Sequence, residues 1–239
     1  MALSSYRASG FWLVLLLSIA ALGTDVIRAP AAAADQQVCD PVADYYLGME
    51  NYPAAIRRHL VVIRAHPDNA LAHYHLGFAY GLTGQHAREL NEYRRAVALG
   101  FGDWQLFLNM GLAYVEAGRL NEGIEVLRLA TLLAPYQSEA HFNLGLAYER
   151  RGMLSAAEQE VLLALRLKPG DLDTRNTLGL VYAEEGRYGL ARTEWAELLG
   201  ADPEYTPARE NLAILRRAEQ HAGGEGAGSH PVAIFAHRR

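Results

Sequence analysis

Residues 138–171 read SEAHFNLGLAYERRGMLSAAEQEVLLALRLKPGD, and this unit sets the pattern for most of the chain. Two runs in it place apolar residues three and four positions apart, and Gly152 separates them, which predicts two amphipathic helices joined by a tight turn. The pattern returns at a constant interval: the repeated glycines are Gly77, Gly111, Gly145 and Gly179, and the repeated tyrosines are Tyr46, Tyr80, Tyr114, Tyr148 and Tyr182. Gly77 and Gly111 are one period apart. A strict period of this length predicts a solenoid of helix pairs.

Five units follow one another without insertion or deletion. Their bounds are 36–69, 70–103, 104–137, 138–171 and 172–205. A glycine between the two helices is able to adopt the positive φ that ends a helix, and a proline closes most units. These residues are Gly84, Gly118, Gly152 and Gly186, and Pro67, Pro135, Pro169 and Pro203.

The repeated residues resemble those of the tetratricopeptide repeat (TPR) family across residues 36–205. The residues that carry the resemblance are Leu76, Gly77 and Tyr80; Gly111 and Tyr114; Leu144, Gly145, Tyr148 and Ala157; Leu178, Gly179, Tyr182 and Ala191; and the closing prolines. The resemblance implies an all-α fold, a right-handed helical-hairpin solenoid of five TPR units. It also implies that the function of this solenoid is to bind another protein. The small residues suit close helix crossings and the tyrosines fill the space between helices, so these positions specify architecture and not chemistry.

Three places depart from the repeat. Asp40 before Pro41 is a good helix N-cap, which predicts a late start and a short first helix. Glu89 stands where a small residue is expected, and Phe101 replaces the closing proline of the second unit. We expect a looser or differently angled joint near residues 100–103.

Residues 1–34 are predicted to be a targeting segment. Arg7 precedes an apolar stretch at 11–23, and small residues follow at 31–34, a pattern typical of a cleaved export signal. An uncleaved membrane anchor through residues 11–23 is the alternative. We therefore expect a bacterial protein that is periplasmic or secreted, or that stays attached to the membrane by this segment.

The chain is predicted to end in a capping helix and a tail. Residues 206–220 place apolar side chains on one side of a helix, as a solenoid end requires. Residues 221–239 are glycine-rich at first and predicted to be disordered, with an apolar patch at 231–235. Because this patch is tethered by a flexible linker, it is one candidate occupant of the binding groove described next.

We predict a peptide-binding groove along the first helices of the units, one residue beyond their core positions. The groove stripe consists of Tyr74 and Phe78; Leu108 and Leu112; Phe142 and Leu146; and Asn176 and Leu180, with Asn109 and Asn143 beside it. Residues four apart share one face of a helix, and the stripe is apolar through three consecutive units. It suits an apolar or amphipathic segment of a partner. Two alternatives stay open: that the stripe packs against the next unit, and that the two asparagines bond the solenoid itself.

The sequence favours no other class of function. The formal net charge is −5 and Lys168 is the single lysine, so the basic stripe that nucleic acid requires is missing. Glycine-rich phosphate loops and His/Cys clusters at metal-ligand spacing are also missing. We therefore expect no enzyme, no cofactor, no metal and no small-molecule substrate.

These patterns predict a non-enzymatic protein–protein interaction scaffold in the cell envelope. Two alternatives remain from other classes. One is a structural solenoid that assembles with further copies of itself into a homo-oligomer, and the other is a regulatory subunit of an envelope enzyme complex. The partner itself is not identified by the sequence.

Overall fold

A computed structural model describes residues 40–222 of the chain. The predicted signal or anchor at 1–34 lies outside the described residues, and so does the predicted tail apart from residues 221 and 222. The described residues form eleven helices connected by short turns. The chain divides into two compact units, Met1–Leu133 and Ala134–Arg239. From here on, the first unit and the second unit are these two compact units and not single repeats.

The first unit contains three helix pairs. They are α1 (Pro41–Gly48) with α2 (Tyr52–Ala65), α3 (Ala70–Gly81) with α4 (His86–Ala98), and α5 (Trp104–Glu116) with α6 (Leu120–Leu133). Each helix packs mainly on the next one in sequence, and α3 also contacts α5.

The second unit contains two further pairs and a closing helix. They are α7 (Ser138–Arg150) with α8 (Leu154–Leu167), α9 (Leu172–Glu184) with α10 (Tyr188–Ala201), and α11 (Thr206–Ala222). Helix α9 contacts both α7 and α11 in addition to its sequence neighbours. The predicted all-α fold of helical hairpins is confirmed, and the last helix extends to Ala222, slightly beyond the predicted end at 220.

Polar caps and glycines set the helix ends. The Asp40 side chain accepts hydrogen bonds from the backbone N–H groups of Val42 and Ala43, and α1 begins at Pro41 as the sequence predicts. Asn69, Asp103 and Asp171 cap the first helices of later pairs in the same way. The four glycines between paired helices all have φ between 70° and 77°, a conformation that favours glycine.

The repeated glycines lie where paired helices approach most closely. A Cβ atom built on Gly111 would lie 2.6 Å from Cγ of Leu127, and one on Gly145 would lie 2.6 Å from Cγ2 of Val161. The equivalent neighbours are Tyr93 for Gly77 and Trp195 for Gly179. All four of these large neighbours are fully buried, so the interval between the repeated glycines is also the period of the core.

The second pair accommodates its irregular residues locally. Glu89 is 6% exposed, and its carboxylate lies against Gly81, with His86 Nδ1 3.0 Å from its Oε2. Burial raises the pKa of Glu89, and the His86 contact opposes that rise. Gly100 adopts φ of 91° after α4, and the Phe101 ring that follows stacks on Tyr74 with ring centroids 5.2 Å apart. The closing proline is thus replaced by an aromatic contact.

Candidate functional site

The groove stripe of the first unit is partly exposed. Tyr74, Phe78 and Leu112 are half-buried, whereas Leu108 is buried with 3% of its surface exposed. The core positions beside them, such as Leu76, are fully buried. At Leu108 the structure therefore favours the packing alternative, and the other three side chains remain accessible in part.

Tyr74 is fixed in place by its neighbours. Its ring stacks on Phe101 and lies 5.9 Å from the ring of Tyr93. The side-chain amide of Asn109 donates to the Tyr74 hydroxyl at 3.2 Å. Burial is the main reason why the pKa of Tyr74 is raised, so the hydroxyl stays neutral. A partner would meet a preformed aromatic surface at this position.

The groove stripe of the second unit has the same mixed character. Phe142, Leu146 and Leu180 are half-buried, and Leu180 packs against the buried cluster around Trp195. Asn176 accepts hydrogen bonds from residues of its own chain. Its backbone carbonyl accepts the Trp195 indole N–H at 3.4 Å, and its Oδ1 accepts from Asn211 Nδ2 at 3.0 Å.

The polar residues beside the stripe bond their own chain. The pairs Asn109–Tyr74 and Asn211–Asn176 each join residues 35 positions apart. The first pair links the first helices of two successive hairpins, and the second links α9 to the closing helix α11. Asn143 instead donates to the backbone carbonyl of Glu139 at 2.9 Å. Of the two readings left open for the asparagines, the structure favours the internal one. A partner would therefore be recognised mainly by apolar contact.

A repeated brace between paired helices is the polar feature that the sequence reading missed. His73 Nδ1 lies 2.6 Å from Glu92 Oε2, and its Nε2 lies 3.2 Å from the Pro67 carbonyl oxygen. His141 makes the same two contacts with Glu160 and Pro135, at 2.7 and 3.1 Å. The signal was present in the sequence, because all three residues recur together two repeats later. The brace ties the second helix of each hairpin, and the turn that precedes the hairpin, to its first helix.

Arginine fills the same place in the last hairpin. Arg175 occupies the repeat position that His141 holds in the preceding hairpin, and it contacts Glu194 at 3.1 Å and Glu197 at 2.6 Å. Within each of the two units, contacts between a carboxylate and a side chain at this repeat position therefore hold paired helices together.

Within residues 40–222, no helix combines the length and the hydropathy needed to cross a bilayer.

Several solved structures share this fold. YrrB, a TPR protein described as having an unusual peptide-binding site, is 19% identical, with a TM-score of 0.65 over 72% of this chain and 88% of its own. MamA 41-end from Desulfovibrio magneticus RS-1 is 17% identical, with a TM-score of 0.66 over 69% and 93%. PilF from Pseudomonas aeruginosa is 20% identical, with a TM-score of 0.60 over 82% and 93%. At these identities the likeness shows the fold alone.

Two further comparisons use the sequence and not the structure. Among proteins whose functions are curated, none matches this chain significantly. The family model described as tetratricopeptide repeat matches residues 43–103 and 108–171, which is more than half of the chain. The repeat fold is that of a protein–protein interaction scaffold. On the repeated residues, the helix pairs and this match, the chain belongs to the tetratricopeptide repeat family.

Proposed function

We propose that this protein is a non-enzymatic scaffold of the cell envelope that holds an apolar or amphipathic segment of a partner on its groove stripe. The observation that carries the proposal is the accessibility of large apolar side chains beside a fully buried core. Phe78 and Leu112 in the first unit, and Phe142 and Leu146 in the second, each keep part of their surface in water.

Covering these side chains would supply useful binding energy. Complete burial of a large apolar side chain contributes about 1.5–3 kcal/mol, and no more than about a third of each of these side chains is still exposed, so the gain is at most about 0.5–1 kcal/mol per residue. The Tyr74 ring is held in advance by Phe101 and Asn109, which lowers the ordering cost of binding. The polar neighbours already make hydrogen bonds within the chain, so the partner need supply few hydrogen bonds to them.

The envelope location is supported by the sequence of residues 1–34. Their basic, apolar and small-residue regions follow the order of an export signal, and the anchor reading leads to the same compartment. A fusion of these residues to a reporter that is active only after export tests this part of the proposal. An inactive, cytoplasmic fusion would overturn it.

The binding proposal is tested by a crosslinking pull-down from envelope extract with Phe78→Glu combined with Phe142→Glu. We expect the double variant to lose the partner while its helical circular dichroism and melting temperature stay near those of the wild type. The matched control replaces exposed apolar residues outside the stripe, Val61→Glu with Leu190→Glu, which are 54% and 43% exposed. Retention of the partner by the folded stripe variant, or its loss in the control, would refute the proposal.

Self-assembly is the second candidate because α1 presents an apolar face. Val42 and Tyr45, three positions apart on α1, are 45% and 62% exposed, and Met49, which directly follows the helix, is 62% exposed. Sedimentation at two concentrations, with the wild type and Tyr45→Glu, separates the two functions. Concentration-dependent dimers that the variant abolishes would support self-assembly, and a monomer at both concentrations would exclude it.

A further inference from the structure

Three side chains with metal-binding atoms meet in the first unit, one from each of three successive helices. They are Asp44 of α1, His59 of α2 and His75 of α3, and one ligand atom of each lies within 4.8 Å of the other two. His75 Nδ1 is 3.0 Å from Asp44 Oδ1. The two imidazole rings meet edge to face, with centroids 5.5 Å apart.

The cluster contains a buried nitrogen whose hydrogen-bonding capacity is unused. His59 is 1% exposed, and its Nε2 has no hydrogen-bond partner in the described part of the chain. Asp44 Oδ1 is also buried, and His75 Nδ1 lies 3.0 Å from it. Buried polar atoms are normally satisfied, so the unused nitrogen of His59 requires an explanation.

The cluster is accessible from solvent through its carboxylate. The Asp44 side chain is 37% exposed, which leaves an entry path for an ion. Imidazole nitrogens and carboxylate oxygens are both ligands that divalent transition metals accept in proteins.

We propose that Asp44, His59 and His75 form a binding site for a divalent transition-metal ion such as zinc. Two imidazole nitrogens and one carboxylate oxygen are a ligand set that zinc accepts, with a fourth position open to water. Bonds of about 2.0–2.2 Å place tetrahedral ligand atoms about 3.3–3.5 Å apart, so the three ligand atoms, which lie within 4.8 Å of one another, would draw closer when an ion binds. Magnesium is disfavoured because it selects oxygen ligands.

The ion would join the first helix pair to the second. Helix α1 is short, spanning only Pro41–Gly48, and Asp44 is its contribution to the cluster. A metal held by α1, α2 and α3 together fixes this short helix against its neighbours. Because the assembled site is absent from the unfolded chain, binding would also stabilise the fold.

The test uses the full-length chain, purified with a chelator and then titrated with Zn²⁺ alone in a calorimeter. We expect one zinc per chain and a melting temperature that rises with zinc and returns with chelator. Asp44→Asn and His75→Gln should each weaken binding at least tenfold. The matched control, His66→Gln, changes an exposed histidine outside the cluster and should bind as the wild type does.

Three results would overturn the site. One is zinc binding at unchanged affinity and stoichiometry in both cluster variants. Another is the absence of any zinc-dependent change in the wild type, measured by calorimetry and by melting. The third is spectroscopic. Circular dichroism of each variant establishes that it is folded, and a Co²⁺ spectrum without a thiolate charge-transfer band shows that Cys39 is not the ligand. A thiolate band would also overturn the assignment to these three residues.

Discussion

Gly145→Ala should destabilise the second unit although alanine is the better helix former. The new Cβ would lie 2.6 Å from Val161 Cγ2 and 3.3 Å from the Val161 backbone nitrogen, whereas carbon atoms in contact prefer about 3.5–4.0 Å. Val161 is fully buried and β-branched, so its side chain cannot turn away. Overpacking costs about 1–3 kcal/mol, and the gain in helix propensity returns about 1 kcal/mol. We expect a net loss of up to about 2 kcal/mol.

Urea unfolding followed by helical circular dichroism measures the effect. The control is Gly189→Ala in α10, where an added Cβ meets no atom within 4 Å. That variant should be as stable as the wild type, or more stable by up to about 1 kcal/mol. If Gly145→Ala gains stability as the control does, α7 and α8 do not approach as closely as described, and the packing explanation of the repeat is wrong.

Two further predictions concern buried polar groups. The raised pKa of Glu89 means that the folded chain retains a proton that the unfolded chain releases near pH 4.5, so stability should fall as the pH rises from 4.5 through the folded-state pKa. Glu89→Gln should remove this dependence of stability on pH and should be more stable than the wild type at pH 8. Melting curves of both proteins at several pH values measure this. The same pH dependence in both proteins would contradict the prediction. His141→Phe should cost about 1 kcal/mol by leaving Glu160 without its partner. Adding Glu160→Val, which copies the Phe107–Val126 pair of the preceding repeat, should recover most of that loss in urea unfolding, and no recovery would refute the brace.

Much of the fold was predictable because the repeat encodes packing directly. Asp40 and Pro41 predicted the start of α1, and the inter-helix glycines predicted the positive φ values, since both effects are local in sequence. The departure at Glu89 was also visible. Its consequence was not, because the fit of a carboxylate against Gly81 depends on the distance between two helices.

The candidate sites were predictable only in part. Spacing on one helix predicted the residues of the groove stripe but did not show that Leu108 is buried while Phe142 is only half-buried. The Asp44, His59 and His75 cluster has no motif, because its members lie on three separate helices and meet only when those helices pack. Sequence spacing detects ligands on one helix or loop and misses such a grouping.

Photo-crosslinking from the groove stripe tests most directly whether this surface binds a partner. A benzophenone amino acid replaces Phe142 in one chain and Leu190, outside the stripe, in a control chain, and crosslinked peptides from envelope extract are identified by mass spectrometry. We predict that position 142 captures one apolar or amphipathic segment of another protein and that position 190 does not. Equal capture at both positions, or crosslinks from position 142 only to further copies of this chain or to its own residues 231–235, would contradict the proposed function.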